Sequence, residues 1–293
     1  MRITAGLAAV VLGVTLTATA TAAPDSGSGG TPTAAAGTTI EPPIDCTPTA
    51  AHPNPVVVLP GGDGTTAQTA DQWSTMLGAL RDAGYCTVLF QGGIIDGTRW
   101  AGDIPSEANQ VADFITKVRK TTGADKIELI AHSAGTIVSN DYLKLLGGAP
   151  NVNHAVFITP EARGCDGAGL LTAMGIKNSP VTPVQLLQAL PFLPSVLATL
   201  SPSNAAAMEM APTSAIYQAI FATQVTQPGV TYSVIATRND QLATPAPACS
   251  LIDEPGVVNA VYEDLFPGAT PVDHSLIRSS TDTAGWVLQQ LQR

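Results

Sequence analysis

The sequence predicts an α/β fold with a mostly parallel central sheet and helices on both faces. Three observations carry this expectation. From residue 55 onward, short β-branched runs alternate with stretches of helical periodicity. The connections between them are short and rich in glycine. One strand–helix junction holds a serine among small residues, Ala131-His132-Ser133-Ala134-Gly135. The chain is long enough for one such domain, with 293 residues of which 45% are hydrophobic.

The N-terminus reads as an export signal. Met1-Arg2 supplies the positive start, Ile3 to Leu16 is an uncharged and largely apolar run, and Ala18-Thr19-Ala20 and Ala20-Thr21-Ala22 are both A-x-A cleavage candidates, the second preferred. The run is shorter than the roughly 20 apolar residues a spanning helix needs. A signal peptide over 1–22 and a secreted, soluble mature chain are therefore expected. Residues 23–45 are rich in Gly, Ser, Thr, Ala and Pro and read as a flexible linker, leaving 46–293 as the folded domain.

Only 12% of residues are charged and the formal net charge is −10, which gives no attraction to nucleic acid or anionic lipid. Cys46, Cys86, Cys165 and Cys249 suit an oxidising compartment. Four cysteines allow three pairings. No C-x-x-C occurs, which speaks against a zinc site.

Pro55 to Leu59 is the first buried strand, and it runs into the loop Pro60-Gly61-Gly62-Asp63-Gly64-Thr65-Thr66. Glycines this dense mark a backbone that must approach something closely. A helix over about 70–83 buries Trp73, Met76, Leu77 and Leu80, and Gly84 ends it. Cys86 to Phe90 is the next strand. A loop through Gly92, Gly93 and Gly97 leads to a helix opened by Pro105 and Ser106, with Ala108, Val111, Ala112, Ile115 and Val118 on one face. Lys126 to Ala131 feeds the serine turn, and a helix runs from Thr136 to Leu143.

His154 to Thr159 is a further strand, after which the pattern breaks. Between Lys177 and Arg238 the only charged residue is Glu209, and prolines chop the apolar runs. Helices buried on the sheet would fit this stretch, as would a cap over the site; an apolar helical, cap-like insertion over about 161–230 is expected. The sheet resumes at Thr231 to Thr237 and Val257 to Tyr262, and a helix over about 282–290 closes the chain.

Serine needs a general base, and the base needs an orienting acid. Of four histidines, His274 lies in a loop after the last strand. His132 adjoins Ser133 and points elsewhere, His52 precedes the first strand, and His154 opens a strand. Asp240 follows the strand before the last one. Asp253 is the second choice, and Asp273 is too close to His274 in sequence to orient its ring. The order Ser133, Asp240, His274 places each at a strand end. Backbone N–H groups of Ala134 and Gly62 are the expected oxyanion hole.

These motifs resemble the exported lipases of the α/β-hydrolase superfamily. Ala131-His132-Ser133-Ala134-Gly135 is similar to the A/G-H-S-x-G of bacterial class 2 lipases. Leu59 to Thr66, Gly84-Tyr85-Cys86 and Asp273-His274 resemble the Candida antarctica lipase B group. The resemblance spans most of 46–293. It implies the α/β-hydrolase fold, Ser133, Asp240 and His274 as the triad, Gly62 and Ala134 as the hole, and disulfides Cys46–Cys86 and Cys165–Cys249. Two positions depart. Class 2 lipases usually carry His-Gly where this chain has Pro60-Gly61, and lipase B has a threonine at the place of Gly62. Thr65 or Thr66 is the available substitute donor.

The expected activity is hydrolysis of lipid or short acyl esters through an acyl-enzyme, by a monomer in transient contact with lipid interfaces and with no cofactor or metal. An acyltransferase or polyester hydrolase on the same triad, or a degenerate binding protein, are the rivals.

Overall fold

Alternate side chains of a strand face opposite sides of a sheet, and the β-branched runs here supply apolar groups to both faces. The computed structural model describes residues 36–293 apart from 174, 177, 178, 191, 193–205, 207 and 208. The expected signal peptide and part of the expected linker lie outside the described residues.

The central sheet is formed by β2 (Val56–Leu59), β3 (Thr87–Leu89), β5 (Ile127–His132), β6 (Val152–Ile158), β7 (Thr231–Ala236) and β8 (Val258–Val261). They lie in the order β3-β2-β5-β6-β7-β8, and every pairing is parallel. Val57, Leu59, Leu129, Ala131, Phe157 and Val234 face one layer, with α2 (Ile104–Thr122) and α3 (Ala134–Asn140) beside it. Val56, Val58, Ile130, Val156 and Ile235 face the other, under α1 (Thr69–Asp82) and the C-terminal helix (Thr281–Leu291). Trp73, Met76, Leu77 and Leu80 are buried as their spacing required.

Helix α2 starts where its caps dictate. The Asp103 side chain accepts the Ser106 N–H, Pro105 occupies the first turn, and Gly123 closes the helix at φ 72°. Helix α3 is shorter than the expected Thr136–Leu143 run, because Asp141–Leu145 winds into a π turn.

Two expectations are corrected. Part of the linker is strand: β1 (Thr38–Ile40) pairs antiparallel with β4 (Gln91–Ile94). The ordered chain thus begins before Cys46, and the glycine segment Gln91–Ile94 is a strand rather than a loop. The pairing needs Gly37, since a Cβ there would lie 2.5 Å from the Gly93 carbonyl carbon.

Part of the expected cap, mainly 193–205, lies outside the described residues. Its described parts include α4 (Ala168–Ala173), α5 (Pro183–Ala189) and α6 (Ala215–Phe221). Ile220 and Phe221 pack with Ile104 and Ile137, so α6 seats on α2 and α3. Cys46 bonds Cys86 and Cys165 bonds Cys249.

Candidate active site

The site grows from the turn between β5 and α3. Ser133 sits at φ 49°, ψ −126°, a conformation that costs about 1–3 kcal/mol and persists only if its surroundings hold it. Its N–H donates to the Ile158 carbonyl at 3.2 Å, and its carbonyl accepts from the N–H and hydroxyl of Thr136 at 2.8 and 2.6 Å. Small neighbours are obligatory. A Cβ on Gly135 would lie 2.7 Å from the Pro60 oxygen, and one on Gly61 would lie 2.5 Å from His132 Nδ1. The serine turn and the loop after β2 are in contact, which explains the glycines in both.

The chain brings Ser133, His274 and Asp240 together. Ser133 Oγ lies 2.8 Å from His274 Nε2, and His274 Nδ1 lies 2.7 Å from Asp240 Oδ2. Asp240 is held from behind, its Oδ1 accepting the N–H groups of Leu242 and Ala243 at 2.8 Å each. All three residues are buried. Burial alone would push the imidazole pKa down. The Asp240 hydrogen bond, with the charges of Asp240, Glu161 and Asp63, outweighs that and raises it.

The other candidates are elsewhere. Asp273 caps its own turn, accepting the Ser275 and Leu276 N–H groups. Asp253 is exposed. His154 bonds Glu128, and His52 stacks on Tyr85. His132 is fully buried, and its Nε2 lies 2.8 Å from the His274 carbonyl oxygen. Burial lowers its pKa to about 3, so it is a neutral donor to that carbonyl.

Gly62 and Ala134 adjoin: a Cβ built on Gly62 would stand 3.6 Å from that of Ala134. Among the described residues, neither N–H is taken by an acceptor. The Thr65 hydroxyl lies 3.3 Å from Gln68 Oε1, which also accepts the Thr65 N–H, so Thr65 is occupied in capping the next turn.

Three neighbours escape a reading of the sequence. Arg99, almost wholly buried, donates from Nε to Gly61 O at 2.9 Å and from Nη1 to Thr65 O at 2.7 Å. Burial lowers its pKa to about 10. Trp100 donates its indole N–H to Pro60 O. Glu161, half-buried just beyond β6, lies near enough to feel the charges of His274 and Asp240. Burial raises its pKa, and Asp240 adds to this against the pull of His274. A lone cation beside Trp100 in a glycine loop was the only available signal for Arg99.

Residues 53–156 match the sequence model of the Lipase (class 2) family. No curated protein matches the chain. Among solved structures, Aspergillus fumigatus lipase B aligns with a TM-score of 0.57 at 15% identity, over 82% of this chain and 52% of that one. The chain thus spans about half the length of that lipase. Bacillus licheniformis lipase BlEst2 in its mature form aligns with a TM-score of 0.56 at 14% identity, over 88% of this chain and 99% of that one. The enol-lactonase of Burkholderia xenovorans LB400 gives 0.50 at 14%, over 84% and 95%. At these identities the structural likeness is one of fold. The chain thus has the α/β-hydrolase fold, and its residues 53–156, which include the strand–turn–helix that carries Ser133, are similar to the class 2 lipases.

Proposed function

We propose that the protein is an exported serine hydrolase of carboxylic esters that works through an acyl-enzyme. The observation that carries this reading is the buried hydrogen-bonded series Ser133–His274–Asp240. Ser133 attacks the ester carbonyl while His274 Nε2 takes its proton. Asp240 holds the imidazole in the Nδ1–H tautomer and stabilises the cation that forms. The negative charge on the carbonyl oxygen is met by the N–H groups of Gly62 and Ala134, each such donor being worth about 2.7–4 kcal/mol in related chemistry. The His274 cation then protonates the departing alcohol. Water attacks the acyl-enzyme with His274 as base and releases the acid.

Two disulfides fit an exported chain. Among the described residues, no helix is long and apolar enough to cross a membrane.

The test is hydrolysis of p-nitrophenyl esters across acyl lengths by the wild type and Ser133→Ala. The variant is expected to lose about 10⁴–10⁶-fold in kcat. Equal rates would overturn the mechanism. The same profile, taken across the solubility limit of each ester, separates lipase from esterase behaviour, since a lipase gains rate where the substrate forms an interface.

A further inference from the structure

Asp63 stands beside Gly62 on the loop after β2, and its carboxylate reaches across to the loop that carries His274. Oδ2 accepts from Ser275 Oγ at 2.5 Å and from Arg278 Nη1. Oδ1 faces His132 Nδ1 at 3.5 Å, and neither atom has a hydrogen-bond partner among the described residues. The Asp63 side chain is only 10% exposed and that of Arg278 4%. Among the described residues, no other side chain of the 60–66 loop bonds to the histidine loop. Arg99 anchors the loop at Gly61 O and Thr65 O. Those contacts hold its backbone, and neither of them reaches the His274 loop.

We propose that Asp63 is a positioning residue, which sets the Gly62 N–H against His274 and places a negative charge beside the imidazolium that forms during the reaction. The proposal rests on the serine-hydrolase reading above and deepens it: one carboxylate, not a ligand of the substrate, joins the oxyanion donor to the base. The titratable and charged groups facing Asp63 are Arg278, His274 and the neutral His132, and Arg99 feels it as well. Those facing His274 are Asp240, Glu161 and Asp63, and His132 lies beside it with ring centroids 5.0 Å apart.

The experiment compares Asp63→Asn, which keeps the shape and removes the charge, with Asp63→Asn/Arg278→Gln. The double variant avoids leaving Arg278 buried without a counter-ion, and it supplies the same readings where the single variant does not fold. Two quantities are read: kcat and KM for a soluble ester, and the titration of His274 followed by NMR. In both variants kcat is expected to fall by about tenfold or more with KM changed by less than about twofold. The His274 titration is expected to move to lower pH. Wild-type kcat and an unmoved titration in the double variant would overturn the proposal, because Asp63 would then only neutralise Arg278. The titration needs no ester. A wild type inert toward esters would count against the hydrolase reading and leave the test of Asp63 intact.

Discussion

Ser133 is held in its strained turn by backbone partners on two elements, Ile158 and Thr136. Its hydroxyl is therefore aimed before any substrate arrives. The imidazole of His274, the proposed general base, is tuned by three carboxylates, of which Asp240 belongs to the hydrogen-bonded series and Asp63 and Glu161 do not. Removing its charge by Glu161→Gln weakens the stabilisation of the His274 cation. The imidazole pKa then falls, and because the neutral imidazole is the active form, the acid limb of kcat/KM shifts to lower pH. A pH–rate profile checks this; an unmoved limb would mean that the carboxyl does not sense the imidazole. The series itself was readable from the sequence, because a serine turn, an aspartate and one of only four histidines fall in order at strand ends. Asp63, Arg99 and Glu161 were not. Their partners are carbonyls, hydroxyls and charges far away in sequence, and no local pattern marks such meetings.

The elements place these residues because each strand end that bears a proposed catalytic residue lies within the sheet interior or next to it: β5 carries Ser133, β7 leads to Asp240 and β8 leads towards His274. Periodicity made the strands and the long helices legible. It failed at β1 and β4, where three-residue and glycine-bearing strands have no alternation to read. It also could not show how α6 docks. There, Glu209 Oε2 accepts the Ile104 N–H at 2.6 Å at the start of α2, near Asp103, Glu107 and Asp141. Burial pushes Glu209 up from 4.5 to about 7, opposed by the Ile104 hydrogen bond and assisted by Asp103 and Asp141. Asp141 is raised to about 6, chiefly by burial and then by Asp103. Such groups favour the fold in their protonated forms. For Glu209 that contribution is complete below about pH 4.5 and lost as pH rises through about 7. Glu209→Gln keeps an acceptor for Ile104 and removes the ionisation. It should raise Tm by about 2 °C or more at pH 8 and leave it nearly unchanged at pH 4.5. Calorimetry at the two pH values decides the matter, and an equal shift at both would sink it.

Across the whole molecule, the two disulfides constrain different things although the chain-entropy view makes them similar in size. Cys46–Cys86 spans 40 residues and Cys165–Cys249 spans 84, worth about 4 and about 4.5 kcal/mol in that view. Cys46–Cys86 ties the start of the domain to β3, an edge strand away from Asp240. Cys165–Cys249 ties the segment after β6 to the loop that follows Asp240. That junction is reinforced by Ala162 N–H donating to Cys249 O at 3.1 Å and by Thr244 Oγ1 donating to Asp166 Oδ1 at 2.7 Å. The same loop supplies the Leu242 and Ala243 N–H groups that hold Asp240. Cys46→Ala/Cys86→Ala should therefore lower Tm while leaving kcat at 25 °C within about twofold of wild type, since its loop closure acts mainly on the unfolded chain. Cys165→Ala/Cys249→Ala should lower Tm by a similar amount and kcat by about tenfold, since a loosened acid loop misplaces the imidazole. Thermal melts with initial rates measured well below both transitions separate the two effects. Equal kcat in the two folded variants would mean that the Asp240 loop keeps its shape without its crosslink, and that its backbone hydrogen bonds suffice to hold the acid.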